Sequence, residues 1–281
     1  MNTESIRAIP GVLAVLEGAK PGAEVVIVAG VHGNEPCGAV AMQSVIPQVE
    51  IKKGRVTFVL GNLKALDSGV RFVEQNLNRL FRPDEGLSDA QRNSYEYRRS
   101  RELMPLFKQA DYLLDIHSSG TRDTTPFVIC DRNGVELASR LPFPLISYGW
   151  DVLEPGGTDD FVTASGGVGI CIECGHHDDP LAAGRAKESI LKLLEIAGLI
   201  DVTSNPEATQ LQKHVEVMTI HKTKTDFTPA RYFYDFEPVQ SGMPLGTDGS
   251  EEIVAPYDAV VIFSRKRENP NEEAFILGRL V

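Results

Sequence analysis

The sequence predicts an α/β protein with a mixed, mostly parallel sheet, helices on both faces, and a small C-terminal all-β domain. Two observations lead to this prediction. Up to about residue 200, short apolar runs typical of buried strands alternate with helical segments, the pattern of a mostly parallel sheet. After the polar segment 201–210, which reads as a linker, short alternating runs and turn residues replace long helices. We therefore expect an α/β domain at 1–200 and a small β domain at 211–281.

Each element follows from its local pattern. Strands are predicted at residues 24–29, 55–60, 112–116, 126–130, 145–147 and 168–174, and helices at 38–48, 88–109 and 180–197. Ser88 is a plausible N-cap. Residues 61–83 and 150–167 are expected to be irregular loops. In the C-terminal part, strands are predicted at 215–220, 231–236, 253–255, 259–263 and 274–277.

Composition excludes several functions. The formal net charge is -11, and no basic stripe interleaved with aromatic residues indicates a nucleic-acid surface. No apolar run approaches the ~20 residues that span a bilayer, and the N-terminus lacks the pattern of a signal peptide. Four cysteines in 281 residues do not make a disulfide scaffold. We expect a cytoplasmic protein without nucleic-acid or membrane partners; the sequence leaves a homo-oligomer open.

A histidine and a glutamate follow the first predicted strand of the sheet. His32 and Glu35 lie in GVHGNE, residues 30–35, where the chain leaves the carboxyl end of that strand. In open α/β sheets ligands bind at this end. An imidazole and a carboxylate three residues apart are good zinc ligands, and a catalytic zinc takes three protein ligands. The alternative is a capped helix start with an incidental histidine.

His117 ends another predicted strand, in DIHSS at 115–119, and is a candidate third ligand. Asp115, two residues earlier, would orient it only if the local backbone turns. The alternative is a hydrogen-bonded histidine in a strand-to-loop turn.

Two further patterns could serve an anionic substrate and its hydrolysis. Arg71 and Arg79 lie in one Asn-rich loop, and an arginine presents a fork that suits a carboxylate; surface ion pairing is the alternative. Glu173 lies near the end of an otherwise apolar strand, where burial would raise its pKa and make it a candidate general base. The alternative is a buried ion pair. Cys171 and Cys174 should point to opposite faces of their strand and do not suggest a redox pair.

The order of these motifs resembles the succinylglutamate desuccinylase/aspartoacylase family, a branch of the zinc carboxypeptidase-like α/β enzymes. The resemblance rests on GVHGNE at 30–35, RFVEQNLNRLF at 71–81, DIHSS at 115–119 and IECG at 172–175, and covers about the first 200 residues. It implies the zinc carboxypeptidase-like fold with a small β domain that caps the active site.

The resemblance also implies a role for each matching residue. His32, Glu35 and His117 would bind one zinc ion per chain. Glu173 would be the general base, and Arg71 would polarise the scissile carbonyl. Asn78 and Arg79 would hold the α-carboxylate of the substrate. The implied activity is zinc-dependent hydrolysis of the amide bond of an N-acyl amino acid or a related small amide.

The sequence departs from the family at substrate-recognition positions. The arginine expected about ten residues before the catalytic glutamate would fall near Thr163, but residues 151–184 contain no arginine. The family's C-terminal substrate tyrosine has no clear counterpart; Tyr232, Tyr234 and Tyr257 are candidates. The acyl group therefore stays open. Two alternative functions remain: a zinc carboxypeptidase acting on small peptides, and a non-catalytic zinc-dependent small-molecule binder.

Overall fold

A computed structural model of the protein describes residues 1–202 and 212–281. Its helices, numbered in chain order, are α1 (Thr3–Arg7), α2 (Cys37–Val45), α3 (Leu63–Ser68), α4 (Asp89–Arg92), α5 (Tyr95–Phe107), α6 (Val135–Ala138), α7 (Trp150–Leu153), α8 (Thr158–Ala164) and α9 (Ala182–Ile196). Its strands are β1 (Val12–Glu17), β2 (Lys20–Ala29), β3 (Lys53–Leu60), β4 (Tyr112–Ser119), β5 (Phe127–Cys130), β6 (Leu145–Tyr148), β7 (Val168–His176), β8 (Lys213–Lys222), β9 (Phe227–Pro229), β10 (Glu237–Val239), β11 (Pro244–Asp248), β12 (Glu251–Val254), β13 (Ala259–Ile262) and β14 (Glu273–Leu280). The predicted linker at 201–210 falls almost entirely outside the described residues.

One mixed sheet runs through the described parts of the chain. Its strand order is β1-β3-β2-β4-β7-β5-β6-β8-β14-β13-β10. The centre is parallel, since β3, β2, β4 and β7 pair in the same direction, whereas β1 and β5 join antiparallel to their neighbours. This arrangement confirms the predicted fold class.

Helices cover both faces of the parallel centre. On one face α2 and α9 bury Met42, Ile190 and Leu194 against strand residues such as Ile27. On the other face Leu103 and Phe107 of α5 pack on Val26 and Val28 of β2. Consecutive residues of β2 therefore both face apolar cores, which explains why its sequence is an unbroken apolar run.

The chain after residue 212 is built from strands. β8, β14, β13 and β10 extend the main sheet, while β9, β11 and β12 form a separate antiparallel sheet. A core around Phe227, Phe233 and Phe275 holds this part together. A second cluster, in which Phe127 of β5 meets Val215 and Ile276, joins it to the first part. The domain boundary between 200 and 211 stays a prediction.

Three predicted segments were wrong in detail. The expected loop 61–83 contains α3, because Asn62 caps its start and Gly69, with φ of 62°, ends it. The expected helix 88–109 is divided into α4 and α5. The predicted N-cap Ser88 is present at the start of α4, but Ser94 caps a second helix start, that of α5. The irregular segment 150–167 contains α7 and α8.

The strand predicted at residues 231–236 is also wrong. Phe236 has φ of 65°, and the amide of Glu237 donates to the carbonyl of Tyr234 at 3.2 Å. The chain turns here, and the strands form on either side of it. Within 1–202 and 212–281, no helix is long and apolar enough to cross a membrane.

Candidate metal and active site

The loop after β2 is shaped by two glycines. Gly30 has φ of 67°, a left-handed conformation that favours glycine. A Cβ on Gly33 would lie 2.0 Å from the backbone carbon of Ala65, so the loop packs directly on α3. This close approach holds His32 and Glu35 at the carboxyl end of the sheet.

Three neighbouring strands bring the predicted site residues together. β4 pairs in parallel with β2, with Ile116 opposite Ala29, and with β7, with His117 opposite Glu173. The carboxyl ends of parallel strands meet at one edge of a sheet, where ligands bind. His117 and Glu173 therefore lie side by side, next to the loop that carries His32 and Glu35.

His32, Glu35 and His117 form a compact, buried cluster of possible metal ligands. Nδ1 of His32 lies 2.9 Å from Oε1 of Glu35, and Nδ1 of His117 lies 2.9 Å from Oε2 of the same carboxylate. The ligand atoms all lie within 4.8 Å of one another. Two imidazoles and one carboxylate are a donor set of the kind found in catalytic zinc sites.

The far nitrogen of each histidine faces a side-chain oxygen. Nε2 of His32 contacts Oδ1 of Asn76 at 3.1 Å, and Nε2 of His117 lies 2.9 Å from Oδ2 of Asp115, close enough for an ion pair but without hydrogen-bond geometry. The expectation that Asp115 needs a turn to reach His117 was wrong: β4 stays extended, and residues two apart share a face. Such partners fix the imidazole orientation in metal sites.

The cluster fits a metal ion on two further observations. Nδ1 of His32 is buried and makes no hydrogen bond, although it lies beside Glu35. Burial, and next the charge of Arg71, lower the pKa of His32 to about 4, so its imidazole is neutral and can bind a metal at pH 7. Although burial opposes it, the charge of Asp115 raises the pKa of His117 well above its ordinary value, so this imidazole would release a proton when a metal binds. A second group of three possible metal ligands, Asp115, His117 and Cys171, shares His117 with the first group. Burial raises the pKa of Cys171 well above its ordinary value, and a thiol is a poor ligand.

Glu173 is buried and lacks a full set of partners. Its side chain is 9% exposed, and Oε2 makes no hydrogen bond. Burial, reinforced by the charge of Glu35, raises its pKa to about 8. A carboxyl group with a pKa near the working pH can take up and release a proton, which is the property of a general acid–base group.

The loop that carries Arg71 is fastened by a buried glutamate. Glu96 of α5 is fully buried, and its carboxylate accepts hydrogen bonds from the backbone amides of Val73 at 2.8 Å and Gln75 at 3.1 Å. Arg71, two residues before Val73, places Nη1 3.1 Å from Oε1 of Glu35. Arg71 is thus held beside the candidate metal ligands.

Asn78 and Arg79 lie on a single 3-10 turn, Leu77–Arg79. Oδ1 of Asn78 accepts a hydrogen bond from the amide of Thr158 at 3.1 Å, at the start of α8. Arg79 is ion-paired with Glu154 and lies 3.7 Å from Glu273 of β14. Both side chains line the cavity. Burial raises the pKa of Glu154 to about 8, whereas a hydrogen bond with Glu154 and the charge of Arg79 outweigh burial and lower the pKa of Glu273 to about 2, so Glu273 carries the negative charge beside Arg79.

All these groups surround one cavity of about 810 Å³. It is lined by His32, His117, Glu173, Arg71, Asn78 and Arg79, together with several residues of the segment 263–276 of the C-terminal part, among them Arg265, Arg267 and Glu273. Glu35 lies beneath its surface. Tyr232, Tyr234 and Tyr257 are not among the lining residues, and neither is Thr163, so the structure does not bring the tyrosine candidates into the site.

Sequence reasoning missed several residues here. Asn76 lies in the motif RFVEQNLNRLF at 71–81, but no role was predicted for it. Glu96 carried one available signal, a glutamate on the apolar side of a predicted helix. For Glu154, Glu273 and Arg265 no local pattern indicated a position in the cavity, since tertiary packing alone brings them there.

Comparison with known proteins agrees with the resemblance. The family model described as "Succinylglutamate desuccinylase/Aspartoacylase catalytic domain" matches residues 21–187. The chain belongs to this family, and the resemblance inferred from its motifs is confirmed.

The chain is also similar to individual proteins of this family, either over a short stretch or at low sequence identity. A succinylglutamate desuccinylase from Pseudoalteromonas atlantica is 32% identical over 99 residues, 34% of this chain but only 28% of that protein. A probable aspartoacylase from Prochlorococcus marinus is 26% identical over 264 residues, 83% of this chain and 84% of that protein. Both names denote deacylases, in agreement with the predicted enzyme class.

The fold has solved counterparts. A crystal structure of a succinylglutamate desuccinylase/aspartoacylase from Rhodobacter sphaeroides superposes with a TM-score of 0.73 at 19% identity, covering 95% of this chain and 88% of that one. At this identity the likeness establishes the fold.

Proposed function

We propose that this protein is a zinc-dependent hydrolase that cleaves the amide bond of an N-acyl amino acid or a related small amide, releasing a carboxylic acid and an amine. One observation carries the proposal. The cluster of possible metal ligands, His32, Glu35 and His117, lies at the same cavity as the buried Glu173. The family and the names of its members support the reaction class.

His32, Glu35 and His117 would hold one zinc ion per chain. When bound, zinc supplies a Lewis acid for the carbonyl and lowers the pKa of water toward ~7. Asn76 and Asp115 keep the two imidazoles turned toward Glu35, so the donor set needs little rearrangement.

Glu173 would move the proton. Its raised pKa lets its carboxylate take a proton from the attacking water and donate it to the departing amine nitrogen. Arg71 would bind the carbonyl oxygen as negative charge develops there, exchanging its present contact with Glu35 for the substrate. Losing one such donor typically costs about 10²–10³ in rate.

Asn78 and Arg79 would hold the α-carboxylate of the substrate. Arg79 contacts Glu154 and Glu273, so a substrate carboxylate must compete with these acidic side chains for it. The C-terminal β part would close one side of the cavity, because several residues of the segment 263–276 line it. A capped cavity of this size suits a small molecule and disfavours a long peptide. We expect the protein to act in the cytoplasm on small anionic substrates.

A zinc carboxypeptidase would use the same ligands, the same Asn-Arg pair and the same glutamate. The test is release of free amine from N-acetyl-, N-formyl- and N-succinyl-amino acids and from dipeptides, with added zinc and again with chelator. Chelator-sensitive release from acyl amino acids supports the proposal, and release from dipeptides alone would make the protein a peptidase. Ligand binding that is unchanged by Glu173→Gln, with no turnover in either protein, would favour a zinc-dependent binder.

A further inference from the structure

His177 follows the strand that carries Glu173, just beyond a bulge in that strand. β7 pairs in parallel with β4, and the register shifts after the pair of His117 and Glu173, so that β7 carries one extra residue there. Gly175 lies in this stretch with φ of 110°, a conformation that favours glycine. The backbone amide of His177 then donates to the carbonyl of Ser119 at 3.0 Å. Bulges next to active sites re-aim a side chain, and here the re-aimed side chain is that of His177.

The imidazole of His177 contacts two residues, each of which is next to a candidate metal ligand. Nδ1 lies 2.8 Å from the hydroxyl oxygen of Ser118, and Nε2 lies 3.4 Å from Nδ2 of Asn34. Ser118 follows His117 in the chain, and Asn34 precedes Glu35. Burial lowers the pKa of His177, so its ring is neutral at pH 7 and has one donor and one acceptor. Since an amide nitrogen only donates, Nε2 accepts from Asn34 and Nδ1–H donates to Ser118.

Both contacts of His177 act on Glu35. The backbone amide of Ser118 donates to Oε2 of Glu35 at 3.2 Å, so the residue bonded to His177 also holds this carboxylate. Asn34 is the neighbour of Glu35 in sequence, and its contact with His177 restrains the same loop from the other side. Glu35 is the carboxylate of the candidate metal cluster. Its position therefore depends on the ends of β2, β4 and β7 together.

Within residues 1–202 and 212–281, His177 is neither among the residues that line the active-site cavity nor in a group of possible metal ligands. Any effect of His177 on the metal or the reaction must therefore pass through Ser118 and Asn34.

We propose that His177 is a positioning residue that holds Glu35 in place for metal binding, through Ser118 on one side and Asn34 on the other. This inference rests on the metal site of the proposed function. Losing a residue that orients a metal ligand typically weakens metal affinity about 10–100-fold. His177 acts one contact further out, so we expect an effect near the lower end of this range.

The test is the zinc affinity of the folded protein, measured by competition with a chromophoric chelator. His177→Ala should raise the Kd for zinc about tenfold. His177→Gln should restore part of the affinity, because an amide also offers a donor and an acceptor. Urea unfolding of the metal-free proteins identifies conditions in which every variant is folded, so that a loss of stability is not mistaken for a loss of affinity.

Ser118→Ala removes the same hydrogen bond from its other end. If His177 acts through Ser118, the double variant should lose less affinity than the sum of the two single losses. Fully additive losses would mean that the two residues act independently and would overturn the inference.

His176→Ala is the matched control. His176 is the neighbouring histidine and is also half-buried, but its Nδ1 accepts from the backbone amide of Asp178 at 3.1 Å, away from the metal cluster. This variant should keep the wild-type Kd for zinc. Wild-type affinity in His177→Ala, or an equal loss in His176→Ala, would overturn the role of His177.

Turnover separates this inference from the proposed function. At saturating zinc, KM for an N-acyl amino acid should be the same in His177→Ala as in the wild type, because His177 does not line the cavity. A raised KM with unchanged zinc affinity would overturn the inference. If the wild type binds one zinc per chain but hydrolyses no N-acyl amino acid, the proposed reaction fails, and a weaker zinc affinity in His177→Ala would still support the role of His177. If the wild type binds no zinc, both fail.

Discussion

Replacing Glu96 with glutamine should loosen the loop that positions Arg71 and Asn76. The carboxylate of Glu96 accepts from the amides of Val73 and Gln75 and from the side-chain nitrogen of Asn62 at 3.2 Å. An amide at this place keeps one acceptor oxygen but turns an NH₂ group toward at least one backbone N–H. A partly buried donor left without an acceptor costs about 1–3 kcal/mol, and a hydrogen bond to a charged group contributes about 1.5–3 kcal/mol.

Together these terms predict that Glu96→Gln lowers the free energy of unfolding by about 2.5–6 kcal/mol in urea titrations. We expect kcat/KM to fall at least about tenfold under conditions where the variant is fully folded, because Arg71 and Asn76 move relative to His32 and Glu35. Glu188→Gln, the same substitution at an exposed position of α9, is the control and should change stability by less than about 0.5 kcal/mol. Wild-type stability and activity in Glu96→Gln would refute the reasoning.

Three further predictions concern the site itself. His117→Ala should abolish stoichiometric zinc binding, measured by metal analysis. Asp115→Asn should weaken zinc affinity about 10–100-fold, because the imidazole of His117 loses the carboxylate that orients it. Wild-type zinc affinity in Asp115→Asn would contradict this orienting role of Asp115. In metal-free protein, the native state keeps a proton on Glu173 between about pH 4.5 and 8 that the unfolded chain has released, so this group makes stability fall as pH rises through that window. The difference in unfolding free energy between wild type and Glu173→Gln should change by up to about 1.4 kcal/mol per pH unit there, and parallel curves would contradict the burial of this carboxyl group. Arg79→Ala should raise KM for substrates with a free α-carboxylate, and Glu273→Gln should lower it, because the competing negative charge is removed. An unchanged KM in Arg79→Ala would place the substrate carboxylate elsewhere.

The sequence predicted the sheet well because its central strands are buried on both faces. An apolar run such as 24–29 is visible without any tertiary information, and the residue after such a run lies at the ligand-binding edge. His32, Glu35, His117 and Glu173 were found for this reason. Short helices such as α3 and α8 were missed because their few residues carry no clear apolar period.

The supporting residues of the site could not be predicted in the same way. Glu96 lies more than twenty residues from the amides it holds, and Glu273 is about 190 residues from Arg79. Neither pairing leaves a local pattern in the sequence. Arg265 is similar: its place beside Gly120 follows from the pairing of β13 with β14 and from the packing of both strands on β5.

Zinc dependence is tested by titrating chelator-treated protein with zinc and following the rate of amine release from N-acyl amino acids. We expect activity to rise linearly and to reach its plateau at one zinc per chain, and His117→Ala to show neither binding nor activity. Full activity without metal, or a plateau unaffected by loss of His117, would contradict it.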